Sequence, residues 1–261
     1  IRGIAPTTEH IHLLKSISNL ITIIDIGANK GQFSLSARHV FKDSNIFSFE
    51  PLDKPANEFK KLFNSDNKVT LFQSAIGPQT KNVEMHVSKR KDSSSILPIG
   101  NRQASIFPGT EESHKEKIKI GPLNQFLSKK DFKKQVFVKI DVQGYELDVL
   151  KGCEDLIHLF DFIYVECSFI ELYEGQVLAH EIIEYLNIRS FILDGIYNTY
   201  HDKSGIAGGG ASAGDSDMTL GDEEAMAKAQ AEATAMRLGS IDNGSFDFDA
   251  MNARAAQDMI S

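Results

Sequence analysis

The sequence has few cysteines, no long apolar run at its start and no general excess of basic residues. Its two cysteines, Cys153 and Cys167, form no CxxC pair and no Cys/His spacing. Neither a disulfide framework nor a zinc site is therefore indicated, and we expect two reduced, buried thiols in a cytoplasmic protein. Residues 1–20 hold no apolar run near eighteen residues and no basic stretch leading into one. We therefore expect neither a signal peptide nor a membrane span.

The balance of charge differs between two parts of the chain. Residues 1–205 carry 25 Lys and Arg against 26 Asp and Glu, whereas residues 206–261 carry 3 against 10. Most of the formal net charge of −8 thus lies in the second part. A phosphate-binding surface needs a basic excess, so nucleic acid is not an expected partner.

A change in composition at Gly205 divides the chain. We predict one domain over residues 1–205, followed by a Gly/Ala-rich linker and an acidic Ala/Met-rich tail over 206–261. In the tail, Asp217–Leu220 is the candidate for a last strand, and Glu223–Leu238 and Phe248–Ile260 suit helices by their alanine content. The tail either completes the domain or is foreign to it.

The segment ITIIDIGANKGQF, residues 21–33, is where we expect ligand chemistry. A β-preferring run ends at Asp25, and a turn with Gly27 and Gly31 leads into a helix-compatible run. A turn without Cβ atoms lets the backbone approach a ligand, and the following helix offers unpaired N–H groups. This favours a nucleotide-cofactor site, although an ordinary strand-to-helix turn has the same pattern.

A second acidic residue strengthens this interpretation. The next β-preferring run ends in Glu50-Pro51, about twenty residues beyond the glycines, where a carboxylate can accept both ribose hydroxyls. The dinucleotide fingerprint GxGxxG is broken because Asn29 stands at its second glycine. The pattern therefore favours a cofactor without a pyrophosphate.

Four segments, in order, resemble the FkbM family of S-adenosylmethionine-dependent methyltransferases: IIDIGANKGQF, FSFEPLDKPANEF, VTLFQSAIG and VFVKIDVQGYELDVLKGCEDLI. The resemblance covers roughly Ile21–Asp202. It implies the strand order of class I methyltransferases, and an acceptor hydroxyl on a glycan or small secondary metabolite. It also implies an acid where Gln143 stands, so a role that needs a carboxylate there is in doubt. The cofactor contacts that it implies are Asp25, Gly27, Ala28, Asn29, Gly31, Glu50, Pro51, Ser74, Ala75 and Asp141.

The alternation of strand and helix patterns predicts an α/β, Rossmann-like fold, with a mostly parallel sheet and helices on both faces. The predicted strands are Ile21–Ile26, Asn45–Phe49, Val69–Phe72, Val136–Ile140, Phe162–Glu166 and Phe191–Leu193. The predicted helices are Thr8–Leu20, Gln32–Phe41, Lys54–Phe63, Tyr145–Lys151 and Val177–Leu186. Between the third and fourth strands, Asn82–Ser88 and Lys117–Ile120 predict a β-hairpin arm, with a mobile loop over Gly100–Glu116.

Three predicted strands end in acids, Glu50, Asp141 and Glu166, and ligands bind at the carboxyl ends of such strands. Methyl transfer from a sulfonium to a hydroxyl needs an aligned acceptor and a group that takes its proton. Asp141 is the first candidate base, with Glu166 or His114 behind it. The alternative for Asp141 is a carboxylate that only binds the cofactor.

The candidate substrate contacts are Ser94, Ser95, Lys139 and Glu146. The serines lie in the arm region, where a plain polar turn is the alternative. Lys139 interrupts an apolar strand, and we expect it to pair with a carboxylate because an unpaired buried ammonium is costly.

No metal site is predicted, because His10 and His12 suit a polar helix face, although Asp141, Glu146 and Glu166 could together assist through a divalent ion. Two other functions stay open. One is a non-catalytic Rossmann-like module whose acidic tail binds a partner or serves as a substrate. The other, more distant, is a nicotinamide dehydrogenase.

Overall fold

The β-preferring runs of the sequence form one central sheet. The computed structural model describes residues 4, 6–7, 10–197, 200–201, 207–208 and 235–240. Its strands are β1 (Thr22–Ile26), β2 (Asn45–Phe49), β3 (Val69–Phe72), β4 (Ala75–Ile76), β5 (Lys81–Ser88), β6 (Glu112–Gly121), β7 (Val136–Ile140), β8 (Phe162–Glu166), β9 (Phe191–Tyr197), β10 (Tyr200–His201), β11 (Ala207–Gly208) and β12 (Ala235–Ser240). Its helices are α1 (Ile11–Ser16), α2 (Gln32–Val40), α3 (Asp53–Leu62), α4 (Asn101–Ile106), α5 (Glu146–Gly152) and α6 (Ala179–Asn187).

The central sheet has seven strands in the order β3-β2-β1-β7-β8-β12-β9. The first five are parallel, and β12 is antiparallel to both of its neighbours. The mostly parallel Rossmann-like sheet expected from the sequence is therefore confirmed. Because parallel strands end at the same edge, the residues that follow β1, β2 and β7 meet there.

Alternating side chains of the central strands enter two separate cores, one on each face of the sheet. Ile24, Val138 and their neighbours pack with α5 and α6, whereas Ile23 and Phe137 pack with α1 and α2. Both faces are covered, which explains why these strands are mostly apolar, with Asp25 on β1 and Lys139 on β7 as exceptions. No helix among the described residues has the length and apolarity needed to cross a bilayer.

The arm confirms the predicted hairpin and corrects the loop. β5 and β6 pair antiparallel, and β4 joins β6 to make a three-stranded sheet. The segment Gly100–Glu116 is not one mobile loop, because α4 occupies its first part and β6 already begins at Glu112. The polar residues that suggested a loop lie on the exposed part of β6, where its first five residues face solvent almost throughout.

The last strand of the sheet is not where we predicted it. Asp217–Leu220 lies outside the described residues, as does Phe248–Ile260. The helix expected over Glu223–Leu238 is wrong for its last four residues, which belong to β12. Ala, Met and Leu are good helix formers, but helix propensity is a weak constraint, and pairing with both β8 and β9 overrides it.

Candidate active site

A cavity that opens to solvent lies at the carboxyl ends of β1, β2 and β7. Its lining includes nine residues that the sequence predicts to bind the cofactor or the acceptor. They are Gly27, Ala28, Asn29, Glu50, Pro51, Ala75, Ser94, Lys139 and Asp141. The strand ends therefore bring together most of the predicted cofactor site.

The turn after β1 needs its glycines for two different reasons. Gly27 has φ +84°, and a Cβ there would lie 1.7 Å from the Asp141 carbonyl oxygen, so the turn packs directly against the end of β7. Gly31 has φ +94° and lies against the rings of Phe59 and Phe63 on α3. Gly31 thus lets the start of α2 pack closely against α3. Gly27 presents backbone without a side chain to the cavity.

Glu50, which follows β2, is held in place by backbone N–H groups. Its two carboxylate oxygens accept from Asn29 N at 3.0 Å and Leu52 N at 2.8 Å. Burial raises the pKa of Glu50 to about 7, although the two N–H groups act in the opposite direction. Each carboxylate oxygen has a further lone pair that can accept from a ligand hydroxyl.

A row of polar groups crosses the sheet beneath the cavity. Asp25 and Lys139 are register partners on β1 and β7, and Lys139 Nζ lies 3.5 Å from Asp25 Oδ1 and 3.0 Å from Asp141 Oδ2. Ser34 on α2 donates to Asp25 Oδ2 at 2.6 Å. Lys139 therefore has the carboxylate partners that we expected, and it is itself only 5% exposed.

The charges in this row depend on one another. Burial alone would lower the pKa of Lys139, but Asp141 and Asp25 more than offset this and raise it. Burial opposes ionisation of Asp141, yet Lys139 and the neighbouring hydrogen bonds hold its pKa at about 2. Glu166, at the end of β8, has a pKa well above its ordinary value because of burial and the nearby Asp141 charge. Asp141 is thus ionised at neutral pH, whereas burial and the Asp141 charge shift Glu166 toward its protonated form.

Several predicted residues support the cavity without lining it. Asp25 lies beneath it, and Gly31 packs against α3. Glu146 accepts from the backbone N–H groups of Gly144 and Val142, at 2.9 and 3.3 Å, and so holds the loop after β7. Glu166 does not line the cavity; it accepts from Gln143 Nε2 at 3.2 Å and shares a side-chain hydrogen bond with Asp141.

Three predicted residues are not brought to the cavity. His114 lies on β6, with its side chain 52% exposed and its Nε2 2.9 Å from Glu116 Oε1, so it is not in place to act as a base. The Ser74 hydroxyl donates to the carbonyls of Ala75 and Lys119. The Ser95 hydroxyl accepts from Leu97 N. The sequence correctly places these residues close to strands that border the cavity. It does not show in which direction their side chains point.

Other lining residues were missed. His10 was assigned to a polar helix face but is 7% exposed, with its Nδ1 2.9 Å from the Tyr164 hydroxyl, and burial lowers its pKa to about 3. Asp92 lines the cavity beside Ser94 and directly precedes the serine run, which was the available signal. The remaining missed polar or aromatic residues are Thr7, Gln32, Phe33, Phe49, Gln143 and Tyr145.

Among the described residues, no three or more His, Cys, Asp or Glu side chains form a group that could hold a metal ion. In particular, Glu146 Oε1 already accepts from the backbone N–H groups of Val142 and Gly144. Both cysteines are buried free thiols, as expected.

Comparison with known proteins identifies the family. Residues 25–193 match the methyltransferase FkbM domain. The 2-O-methyltransferase NoeI of Sinorhizobium fredii is 25% identical over 195 residues, which are 70% of this chain and 80% of NoeI. Methyltransferase 1 of Beauveria bassiana is 26% identical over 145 residues, which are 51% of this chain and 58% of that protein.

A solved structure has a similar fold. The FkbM methyltransferase from Methylobacillus flagellatus aligns with a TM-score of 0.53 at 12% identity, over 90% of this chain and 48% of that one. This chain thus spans about half of that structure. The family match covers the strands, turns and acids that build the cavity, and the chain belongs to the FkbM family of methyltransferases.

Proposed function

We propose that this protein is an S-adenosylmethionine-dependent O-methyltransferase that acts on a hydroxyl of a glycan or small secondary metabolite. The observation that carries the proposal is the cavity that joins the Gly27 turn, the Glu50 carboxylate and the Asp141 carboxylate. The name of the relative NoeI, a 2-O-methyltransferase, supports oxygen as the accepting atom.

The residues of the cavity fit this cofactor. Gly27 lines the cavity and presents backbone without a side chain there, which suits the close approach of an amino-acid moiety. Glu50 suits two ribose hydroxyls, and Ala75 leaves apolar room beside Ile76 for a purine ring. When bound, the cofactor supplies a methyl group that its sulfonium charge has already activated.

Asp141 is the proposed partner of the acceptor hydroxyl. Its ionised carboxylate accepts that hydrogen bond and aligns the oxygen for attack. A pKa of about 2 makes Asp141 a weak base toward a neutral alcohol. Transfer would form the carbon–oxygen bond as the bond between the methyl carbon and sulfur breaks, with S-adenosylhomocysteine as the leaving group. The acceptor oxygen would then be an oxonium, which is a far stronger acid than a carboxylic acid. Asp141 can therefore receive the proton as the bond forms, and both roles considered for it are combined.

The test is calorimetric titration of S-adenosylhomocysteine into the intact protein. We expect micromolar binding, no binding of NAD, and loss of binding in Glu50→Ala. The matched control is Glu84→Ala, which removes an exposed glutamate of the arm and should leave the affinity unchanged. A folded protein, verified by circular dichroism, that does not bind S-adenosylhomocysteine would overturn the proposal. A preparation that binds justifies a screen of glycan and metabolite acceptors.

A further inference from the structure

The loop after β7 places an amide between two acids. Gln143 Nε2 lies 2.9 Å from Asp141 Oδ1 and 3.2 Å from Glu166 Oε2, and both contacts have donor geometry. Its backbone has φ +57°, a left-handed conformation that side chains other than glycine seldom adopt. The loop therefore holds Gln143 in an unusual conformation that brings its side chain between the ends of β7 and β8.

The other end of the amide is held by a tyrosine from the loop after β8. The Tyr173 hydroxyl lies 2.9 Å from Gln143 Oε1 and 3.1 Å from the Ser93 carbonyl oxygen. Tyr173 is buried, at 2% exposure, and it does not line the cavity. Burial, with acids nearby, raises its pKa well above the ordinary value, so its hydroxyl stays a donor.

These contacts fix which way the amide faces. The ionised Asp141 needs a donor, so Nε2 faces the two carboxyl groups and Oε1 faces the Tyr173 hydroxyl, whose single hydrogen is shared between Oε1 and the Ser93 carbonyl. The reversed amide would put its oxygen against the Asp141 carboxylate, which has no hydrogen to donate. The charged groups that act on Asp141, Glu166 or Tyr173 include Lys139 on β7, Glu146 on α5 and Asp92 in the arm segment. Of these three, Lys139 is the cation.

Resting on the proposed function, we propose that Tyr173 is a positioning residue for methyl transfer. It orients the Gln143 amide, which in turn holds the Asp141 carboxylate toward the position of the transferred methyl group. Because Tyr173 also contacts Ser93, it ties the arm segment next to Asp92 and Ser94 to the same carboxylate. The Tyr173 hydroxyl thus holds the Asp92–Ser94 segment and the Asp141 carboxylate in a fixed arrangement, without itself contacting the cofactor or the acceptor.

The test uses two cofactor analogues, so it needs no known acceptor. Sinefungin carries a cationic amine where the transferred methyl lies, whereas S-adenosylhomocysteine has nothing there. We expect the intact protein to bind sinefungin at least tenfold more tightly, because the amine meets the Asp141 carboxylate. In Tyr173→Phe this preference should fall at least fivefold, while affinity for S-adenosylhomocysteine changes less than twofold. The matched control is Tyr185→Phe, which removes a hydroxyl that donates to a surface glutamate, Glu154, and should keep the full preference.

The outcomes separate the two proposals. Failure of the intact protein to bind S-adenosylhomocysteine defeats the proposed function. Normal binding of that ligand with an unchanged sinefungin preference in Tyr173→Phe defeats the positioning role alone. If Tyr173→Phe loses affinity for both ligands equally, its role is structural and the inference is again overturned. Gln143→Leu, which keeps the volume but not the donors, should lose the same preference as Tyr173→Phe.

Discussion

Because the pKa of Glu50 is raised, we predict that the protein binds S-adenosylhomocysteine more tightly as the pH rises. In the free protein this pKa is about 7. Ribose hydroxyls donate best to the ionised carboxylate, so S-adenosylhomocysteine should select that form. At pH 6 about one molecule in eleven has Glu50 ionised, and at pH 8 about nine in ten do. The apparent affinity should therefore fall about tenfold from pH 8 to pH 6, which corresponds to about 1.4 kcal/mol.

The measurement is calorimetric titration of S-adenosylhomocysteine at half-unit steps between pH 6 and pH 8, a range in which the ligand has no titrating group. Glu50→Gln should bind more weakly at pH 8 and show no slope. Glu146→Gln is the matched control, because burial also raises the pKa of Glu146 to about 7 but its side chain does not line the cavity. The control should keep the slope. An affinity that is flat in the intact protein, or a slope that survives in Glu50→Gln, would refute the assignment of this carboxylate to the ribose.

Three further predictions concern the rest of the site. Gly27→Ala places a Cβ against the Asp141 carbonyl at positive φ, so the urea-derived free energy of unfolding should fall by at least ~2 kcal/mol; an unchanged midpoint would contradict the packing of this turn. Lys139→Met leaves the buried Asp25 unpaired and should cost ~3–5 kcal/mol, and adding Asp25→Asn should restore part of the loss in the same denaturation assay. His114→Ala should change the rate of methyl transfer less than twofold, because this side chain is exposed on the arm, and a larger fall would return it to the catalytic candidates.

Much of the sheet could be predicted because each central strand has a strong local signal. Residues such as Ile23, Val138 and Ile163 are buried on one face or the other, so the strands are mostly apolar and their bounds are clear. The acids at the strand ends were also visible, because a charge directly after an apolar run is conspicuous. Glu50 and Asp141 were found in this way.

The parts that failed depend on contacts distant in sequence. β12 has residues that suit a helix, and only its pairing with β8 and β9 makes it a strand. His10 looks like any polar residue before a helix, yet it is buried against Tyr164, 154 positions away. Tyr173 has no signal at all, because its importance lies in a hydrogen bond to Gln143 across two loops. Pattern reasoning locates strand ends but not the side chains that cross between them.

The position of β12 between β8 and β9 has a consequence for biosynthesis. β9 leaves the ribosome well before residues 235–240, and among the described residues β12 is the strand that joins it to the sheet. Until β12 arrives, the free edges of β8 and β9 both expose unpaired backbone groups, which can pair with another chain. A nascent or truncated chain that stops near Gly205 has its active-site strands but leaves the edges of β8 and β9 unpaired. Shielding by chaperones therefore matters most between the synthesis of β9 and that of β12.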